Sequence, residues 1–332
     1  MKNILITGGA GYIGSHVVKQ IIEIEKYNVF VIDNFKTGFE KTVRTLQSLG
    51  EVKFINKDLS DWTEIDKIFS KHNFDVVIHF AASLLVGESV SNPLKYYINN
   101  TCNTSNIINL CNQYKVNKFI FSSTAAVYGE PSMDKIPLNE YEPTDPINPY
   151  GNSKLFTEQI IQDNAKANKN FKYIILRYFN VAGAEKSLQI GECHEPETHL
   201  IPLVVKTALG KKDKIMIFGD NYNTKDGTCV RDYIHVDDLA SAHLSSLDYL
   251  KNNDSEIFNC GYGHGFSVKE VIDTVKKISG INFEVEVTHK REGDPAILIA
   301  DNKKILQLTE WKPKYDNLEY ICMTALEWEK KQ

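Results

Sequence analysis

The sequence lacks the features that mark several specialised classes of protein. Its six cysteines, at positions 102, 111, 193, 229, 260 and 322, show no CxxC spacing, which argues against a zinc ribbon and a disulfide framework. No apolar run approaches the length of a membrane span, and residues 4–6 are too few for the core of a signal peptide. We therefore expect a soluble protein of a reducing, cytoplasmic compartment.

Basic residues are not gathered into a stripe either. The chain has 38 Lys and Arg against 43 Asp and Glu, a formal net charge of −5, so nucleic acid is not an expected partner. Its 332 residues are 42% hydrophobic and 24% charged, which is the balance of an ordinary globular protein able to bury a substantial core.

Short apolar runs alternate with helical stretches throughout the first half of the chain. This alternation predicts an α/β fold, a Rossmann-type doubly wound parallel sheet covered by helices on both faces. The predicted strands span residues 3–7, 29–33, 52–56, 76–80, 119–122 and 173–178.

A loop-like segment at residues 184–202, with glycine and proline within or beside it, indicates entry into a second region. We expect a smaller C-terminal α/β domain there, with helices at 236–250 and 268–278. The chain is therefore divided into domains at 1–180 and 181–332, whose segments can interweave.

Gly8, Gly11 and Gly14 follow the first predicted strand and open a helical stretch. Their GxxGxxG spacing fits a dinucleotide-binding turn, in which a side chain would obstruct the pyrophosphate at the helix N-terminus; a plain glycine-rich turn is the alternative. Asp33 ends the second strand, near the ~20-residue offset at which a carboxylate binds the adenosine ribose. Because that carboxylate would repel a ribose phosphate, the pattern predicts NAD instead of NADP.

Asp58 and Leu59 follow the third predicted strand. There Asp58 could accept a hydrogen bond from the adenine amino group, with Leu59 against the ring. The alternative is that Asp58 or Asp61 caps the helix that follows.

Tyr150 and Lys154 lie four residues apart at the start of a predicted helix, so their side chains share one face. A free phenol titrates near pKa ~10, but a neighbouring ammonium, a positive nicotinamide and the helix N-terminus would all favour phenolate. The pair therefore predicts a general base matched to an alcohol, and an exposed helix face is the alternative.

Ser122, Ser123 and Thr124 end the fifth strand, at the sheet edge where ligands of open parallel sheets bind. Their hydroxyls are candidates for holding a substrate oxygen beside Tyr150. The alternative is a polar strand end that makes only local turn bonds.

Longer strings along nearly the whole chain resemble one family. They are TGGAGYIGSH at 7–16, DN at 33–34, HFAA at 79–82, VGES at 86–89, FSSTAAVYGE at 121–130, NPYGNSK at 148–154, RYFNVAGA at 177–184, HLIPL at 199–203, DGTCVRDYIHVDDLA at 226–240 and REGDPA at 291–296. On these strings the sequence resembles the extended short-chain dehydrogenase/reductase family, and within it the 4-epimerases of nucleotide sugars.

The resemblance implies an NAD-binding domain at 1–180, a UDP-sugar-binding domain at 181–332, and Tyr150, Lys154 and Thr124 as the catalytic residues. With the three glycines, the implied cofactor contacts are Gly8, Gly11, Tyr12, Ile13, Gly14, Asp33, Asn34, Phe35, Lys36, Thr37, Gly38, Asp58, Leu59, Phe80, Ala81, Ala82, Ser83, Leu84, Asn99, Lys154 and Phe179. The implied substrate contacts are Thr124, Tyr150, Asn180, His199, Leu200, Phe218, Arg231, Arg291, Asp294 and Leu298.

The implied activity is the reversible interconversion of UDP-galactose and UDP-glucose. Sugar carbon 4 would be oxidised by NAD, the 4-keto intermediate would rotate, and hydride would return to its opposite face. NAD would stay tightly bound and be recycled within each turnover. A homodimer formed through helices of the NAD-binding domain is also implied.

Two other functions compete with this one. A nucleotide-sugar 4,6-dehydratase needs an acid and a base directly after the active-site Thr, where this chain has Ala125 and Ala126. A decarboxylase acting on UDP-glucuronate is disfavoured in a similar way. A non-catalytic NAD-binding sensor would tend to lose Tyr150 or Lys154, both of which are present.

Two positions bear on affinity and specificity. Leu84 stands where many relatives have Lys, which puts cofactor affinity in question. Leu298 lies where the family places a residue whose size controls acceptance of N-acetylated sugars. Its intermediate bulk predicts good turnover of UDP-galactose and weak turnover of UDP-N-acetylgalactosamine.

Histidines add no predicted metal site. Residues 194–199 read HEPETH, which is not the HExxH spacing, and Pro196 would break the helix that such a motif requires. His79 is expected to be a structural histidine at a strand end. His235 and Asp237 are expected to shape a helix start, with Asp237 as a possible cap.

Overall fold

The computed structural model of the protein describes residues 1–291 and 293–332. Its strands are β1 (Lys2–Thr7), β2 (Tyr27–Asp33), β3 (Val52–Asn56), β4 (Val76–His79), β5 (Lys118–Thr124), β6 (Lys172–Tyr178), β7 (Asn180–Ala182), β8 (Lys214–Phe218), β9 (Val230–Arg231), β10 (Tyr233–His235), β11 (Glu256–Cys260), β12 (Phe266–Ser267), β13 (Glu284–Thr288) and β14 (Ile297–Leu298).

Helices separate most of these strands. They are α1 (Tyr12–Glu23), α2 (Glu40–Leu49), α3 (Trp62–Lys71), α4 (Val86–Ser91), α5 (Pro93–Tyr96), α6 (Asn103–Gln113), α7 (Pro149–Ala167), α8 (Leu200–Ala208), α9 (Val236–Tyr249), α10 (Val268–Ser279), α11 (Lys303–Leu308) and α12 (Leu318–Glu329). A π-helical turn, Tyr97–Cys102, joins α5 to α6, and short 3-10 helices lie at Ala125–Tyr128 and Met133–Lys135.

The main sheet has seven parallel strands in the order β11-β6-β5-β4-β1-β2-β3. Alternate residues of β1 face opposite sides of it, since Ile4 and Ile6 pack in one hydrophobic cluster and Leu5 packs in another. The strand order reverses at β1, which lies between β2 and β4. A crevice therefore forms outside the carboxyl ends of these strands, where ligands of such sheets bind.

The predicted α/β fold is confirmed, and all six predicted strands occur with bounds close to those expected. The helices expected at 236–250 and 268–278 are α9 and α10. Strand β11, from the second predicted domain, pairs with β6 at the end of the main sheet. The two segments thus interleave, while the division at residue 180 stays a prediction.

The C-terminal region is built from short sheets and the helices α8, α10 and α12, which pack against one another. Helix α10 illustrates how local sequence sets this region. Ser267 and Glu270 form a capping box at its start, and Gly280 ends it with a φ of 70°. Between them Val271, Ile272 and Val275 form its buried face.

Within the described residues, no helix is both long enough and apolar enough to cross a membrane. In the same part of the chain all six cysteines are free thiols.

Candidate active site

A cavity of about 760 Å³ opens along the carboxyl ends of the main sheet. Its walls come from the turns after β1, β2 and β4, the end of β5, the start of α7, and the segment that precedes α8. A cavity of this size and position can enclose a ligand larger than a single sugar or base.

The turn after β1 can accept only glycine at its close approaches. Gly8 has a φ of 74°, and a Cβ there would lie 2.6 Å from the backbone nitrogen of Ala81. A Cβ on Gly14 would collide with the carbonyl oxygen of Gly8. These glycines leave room at the N-terminus of α1, where backbone N–H groups favour an anion such as pyrophosphate.

Asp33 also organises this turn. Its carboxylate accepts hydrogen bonds from the backbone nitrogens of Ala10 at 3.0 Å and Phe35 at 2.9 Å. Burial raises the pKa of the Asp33 carboxyl, and these backbone donors oppose that effect. Asp33 therefore shapes the glycine turn while lining the cavity, as a ribose-binding carboxylate would.

The sequence left open whether Asp58 lines the cofactor site or caps the helix that follows. The structure assigns the helix cap to Asp61. The amide of Asn34 donates to Asp58 at 2.7 Å, and Asp58 accepts from the backbone nitrogen of Ser60. The cap of α3 is Asp61, which accepts from the backbone nitrogen of Glu64 at 3.2 Å. Asp58 is thus free of the capping role and lines the cavity.

Tyr150 is placed in the cavity by the start of α7. Asn148 caps this helix by accepting from the backbone nitrogen of Gly151 at 2.9 Å. A Cβ on Gly151 would lie 2.8 Å from the carbonyl oxygen of Ala126, so the helix end packs closely on the residues after β5. This packing brings Tyr150 beside Thr124.

The acidity of Tyr150 departs from the expectation of a phenolate. Burial raises the pKa of its hydroxyl, and only the side chain of Thr124 acts in the opposite direction. Burial therefore favours the protonated phenol when the cavity holds no ligand. A positive charge bound in the cavity would act in the opposite direction.

Lys154 is the buried cation of the same helix face. Its ammonium donates to the carbonyl oxygen of Ser122 at 2.8 Å and lies 5.0 Å from the centre of the Phe121 ring. Burial lowers the pKa of Lys154 to about 7. This cation is held by a carbonyl dipole, which leaves it able to interact with an anionic or hydroxyl group in the cavity.

A buried ion pair supports the end of β5 from behind. Arg177 and Glu158 approach to 2.7 Å, Ser123 donates to Glu158, and Tyr128 accepts from Arg177 at 3.0 Å. The Ser123 hydroxyl is thereby committed to a structural bond. Thr124 accepts from the backbone nitrogen of Ala126 at 3.1 Å, which leaves its own proton for the Tyr150 hydroxyl or a bound ligand.

Two arginines lie at or just beyond the cavity wall. Arg231 lines it and forms an ion pair with Asp294. Arg291 stacks on the ring of Phe218, with its guanidinium carbon 3.7 Å from the ring centre. Guanidinium groups are suited to bidentate binding of phosphates.

Comparison with known proteins agrees with this geometry. The family model described as "NAD dependent epimerase/dehydratase family" matches residues 4–261. The chain belongs to this family. The resemblance inferred from the sequence strings is therefore confirmed.

Its relatives in the NAD dependent epimerase/dehydratase family include several 4-epimerases. The chain is 46% identical over 328 residues to the UDP-glucose 4-epimerase of Halalkalibacterium halodurans, covering 98% of this chain and 95% of that protein. The structure of the UDP-Glc/GlcNAc 4-epimerase from Campylobacter jejuni is 53% identical, with a TM-score of 0.88 and full coverage of both chains (100% each). The UDP-glucose 4-epimerase from Bifidobacterium longum, solved in complex with NAD+ and UDP, is 36% identical, with a TM-score of 0.94, covering 100% of this chain and 99% of that one.

In this family member, most residues predicted to bind the cofactor meet in the cavity. Those that line it are Gly8, Gly11, Tyr12, Ile13, Gly14, Asp33, Asn34, Lys36, Thr37, Asp58, Leu59, Phe80, Ala81, Ala82, Ser83, Leu84, Asn99, Lys154 and Phe179. Phe35 and Gly38 lie behind the lining; Phe35 stacks on Phe54 with ring centres 5.0 Å apart, and Gly38 packs against Ala10. These two support the turn, and cofactor binding by the others stays a prediction.

Of the residues predicted to bind substrate, most line the cavity and three do not. Those that line the cavity are Thr124, Tyr150, Asn180, His199, Arg231, Asp294 and Leu298. Leu200, Phe218 and Arg291 are not part of its wall as the described residues form it. Leu200 begins α8 directly after His199, and Phe218 with Arg291 forms the stacked pair beyond the wall.

Sequence reasoning missed the loop residues that close the cavity near Tyr12. Glu192, His194, Glu195 and Pro196 all line it. The string at 194–199 carries the signal, but its spacing excludes only a helical HExxH motif. An irregular loop brings these side chains together without such a helix.

The histidine expectations are largely met. His79 hydrogen-bonds Thr7 at 2.7 Å and Thr104 at 2.8 Å, and burial lowers its pKa to about 3, so it is structural. His235, and not Asp237, is the cap of α9; its ring nitrogen accepts from the backbone nitrogen of Asp237 at 3.1 Å. Asp237 lies instead in the first turn of that helix.

Proposed function

We propose that the protein interconverts UDP-galactose and UDP-glucose, with NAD retained in the cavity throughout. One observation carries the proposal: Tyr150, Thr124 and Lys154 line the same cavity as the glycine turn, in a chain 46% identical over 328 residues to a UDP-glucose 4-epimerase. The reaction class is thus reversible oxidation and reduction at one sugar carbon.

The cofactor fits the part of the cavity nearest β1 and β2. The glycine turn leaves space that a Cβ would fill, and Asp33 presents a buried carboxylate at the position suited to a ribose. When bound there, NAD supplies the acceptor and the donor of hydride. The protein's residues supply positioning and proton transfer.

The proposed base is Tyr150. Its phenol oxygen takes the proton of the sugar 4-hydroxyl as the C4–H bond breaks, and it returns this proton when the C4–H bond re-forms on the opposite face. Thr124 donates a hydrogen bond from its hydroxyl to the same sugar oxygen, and this bond orients the oxygen. Lys154 stabilises the phenolate form of Tyr150 that accepts this proton.

The nucleotide is proposed to lie at the far end of the cavity. Arg231 there is already paired with Asp294, and a diphosphate would compete for its guanidinium group. Holding the UDP moiety fixed leaves the keto sugar free to turn about its linkage. This turning exposes the second face of carbon 4 to hydride.

The dehydratase alternative lacks its acid and base. Ala125 and Ala126, the two residues directly after Thr124, have methyl side chains that cannot transfer a proton. The non-catalytic alternative would leave the convergence of Tyr150, Thr124 and Lys154 without a use.

A homodimer is proposed on an exposed apolar face of the NAD-binding region. Val90, Leu94, Ile98 and Phe156 are all exposed, on α4, α5, the π-helical turn and α7. Such a patch on helices is typical of a protein interface. Light scattering should give twice the mass of one chain, and the charge substitution Leu94→Glu should shift it toward the monomer.

The function is tested by incubating purified protein with UDP-galactose and no added NAD. We expect UDP-glucose to form, and acid denaturation of the same sample to release stoichiometric NAD. A requirement for added NAD with accumulation of reduced cofactor would instead indicate an ordinary dehydrogenase. A 4-keto-6-deoxy product would indicate the dehydratase.

A further inference from the structure

Four side chains of one loop converge at the edge of the cavity. Glu192, His194, Glu197 and His199 each point a nitrogen or an oxygen at the others, and these atoms all lie within 4.8 Å of one another. The loop connects the short sheet at β7 to the start of α8, and the ring of His194 lies edge-on to that of Tyr12, 6.2 Å away.

The separations match those around a tetrahedral metal ion. The Nδ1 atom of His199 lies 2.8 Å from Glu192 and 3.2 Å from Glu197, and the Nδ1 atom of His194 lies 3.2 Å and 3.8 Å from the same two carboxylates. Bonds of ~2.0–2.1 Å in a tetrahedron place ligand atoms roughly 3.3 Å apart. The nitrogen–oxygen separations, from 2.8 to 3.8 Å, bracket this value.

Two of these atoms make close ion-pair contacts within the cluster but no hydrogen bond of good geometry. Within the described residues, the Oε1 atom of Glu192 and the Nδ1 atom of His194 are buried without a hydrogen bond. The side chain of Glu192 is only 5% exposed, so water does not readily replace the missing partner. A cation between the four ligands would satisfy both atoms at once.

A set of ion pairs is the competing explanation. The adjacent carboxylates raise the pKa of both imidazoles, so two imidazolium ions could balance two carboxylates. A divalent ion bound by neutral imidazoles gives the same net charge, because it replaces two protons. Charge therefore permits both states, and the two buried atoms without a well-formed hydrogen bond favour the metal.

We propose that Glu192, His194, Glu197 and His199 form a Zn²⁺ site that fixes the loop at the Tyr12 side of the cavity. Two imidazole nitrogens and two carboxylate oxygens in tetrahedral spacing suit zinc, whereas Mg²⁺ and Ca²⁺ take six or more oxygen ligands. All four positions are filled by the protein. The ion is therefore structural, with no open position for catalysis.

The first test is a zinc titration of full-length protein that has been stripped with a chelator and returned to buffer with a chromophoric competitor. We expect one Zn²⁺ bound per chain and a higher melting temperature in its presence. His194→Gln and Glu197→Gln should each weaken binding by more than about tenfold. His264→Gln is the matched control, since it removes an exposed histidine paired with Asp316 elsewhere on the surface.

Zinc K-edge absorption of the loaded wild-type protein identifies the ligands without any variant. Four nitrogen or oxygen neighbours, with the outer-shell scattering of two imidazole rings, support the proposal even if the loop variants fail to fold. A sulfur ligand, or binding that His194→Gln leaves unchanged, would overturn it, as would the absence of stoichiometric binding. The titration contains no sugar, so its failure leaves the proposed function untouched.

Discussion

Two buried cations lie beside α7 and differ in what holds them. Arg177 is paired with Glu158 of that helix at 2.7 Å, and Tyr128 also accepts a hydrogen bond from it. Among the described residues, Lys154, which lies one turn before Glu158 on α7, has a single hydrogen-bond partner, the carbonyl oxygen of Ser122 at 2.8 Å. Burial lowers the pKa of Lys154 to about 7, whereas the Glu158 carboxylate raises that of Arg177.

The difference separates structural from functional charge within one region of the fold. The Arg177 pair is complete, so it can support the end of β5 but offers nothing to a ligand. Lys154 is under-partnered, which costs stability and leaves its charge responsive to whatever binds in the cavity. Ionisable groups whose pKa is shifted in this way are frequent in active sites.

The largest effect is expected from removing the hydroxyl of Tyr150, whose phenolate form Lys154 is proposed to stabilise. Tyr150→Phe should lower the turnover of UDP-galactose by about 10²–10⁴-fold, because a positioned general base is lost. Steady-state kinetics measure this, with NAD content as a check on cofactor binding. Tyr141→Phe is the control, since Tyr141 is 82% exposed, and it should retain full activity. Similar rates for both variants would contradict the role of Tyr150.

The next largest effect is expected from breaking the buried ion pair between Arg177 and Glu158. Glu158→Gln should destabilise the protein by about 3–5 kcal/mol, because it leaves Arg177 buried without its counter-ion. Denaturant unfolding measures this change. Glu40→Gln is the matched control, because its pair with Arg44 is exposed and is worth less than about 0.5 kcal/mol. Equal losses of stability in the two variants would mean that the buried pair stabilises the protein no more than the exposed pair does.

A smaller effect of opposite sign is expected at Lys154. In cofactor-free protein Lys154→Met should raise stability at pH 7 by about 1–3 kcal/mol, since a poorly satisfied buried donor is removed, while activity is lost. The pKa of Lys154 falls from 10.5 to about 7 on folding, so the unfolded chain holds its proton more tightly.

The sign of the pH dependence follows from that shift. Between pH 7 and ~10.5 the unfolded state binds more protons at this site, so wild-type stability should rise with pH through this window. The difference between wild type and Lys154→Met should be largest at pH 7 and below, and it should shrink as the pH rises. A difference that is constant across this range would show that Lys154 does not carry the lowered pKa.

The smallest effect concerns the substrate end of the cavity, which Leu298 lines. Wild-type protein should turn over UDP-galactose faster than UDP-N-acetylgalactosamine. Leu298→Ala should improve the N-acetylated substrate by about tenfold relative to UDP-galactose, as the pocket gains room for an acetyl group. Equal wild-type rates on the two sugars would refute the ranking.

Local patterns in the sequence were enough to predict much of this architecture. The six predicted strands, the glycine turn and the pairing of Tyr150 with Lys154 on one helix face depend on short-range spacing. The cap at Asp61 instead of Asp58 is a choice between neighbours that only backbone geometry decides.

Long-range contacts account for what was not predicted. Glu158 meets Arg177 because α7 packs on β6, and no local spacing indicates that pair. The convergence of Glu192 with His199 depends on the path of an irregular loop. The raised pKa of Tyr150 reflects burial, whereas sequence reasoning weighed only the favourable charges.

The most direct test of the account follows the hydrogen at sugar carbon 4. UDP-galactose carrying deuterium at that carbon is mixed with an equal amount of ¹³C-labelled UDP-galactose, and the product is analysed by mass spectrometry and NMR. If hydride leaves and returns within one bound complex, deuterium will remain at carbon 4 of the UDP-glucose derived from the deuterated molecules. Loss of deuterium to water, its transfer to ¹³C-labelled product, or its appearance at carbon 6 would contradict the account.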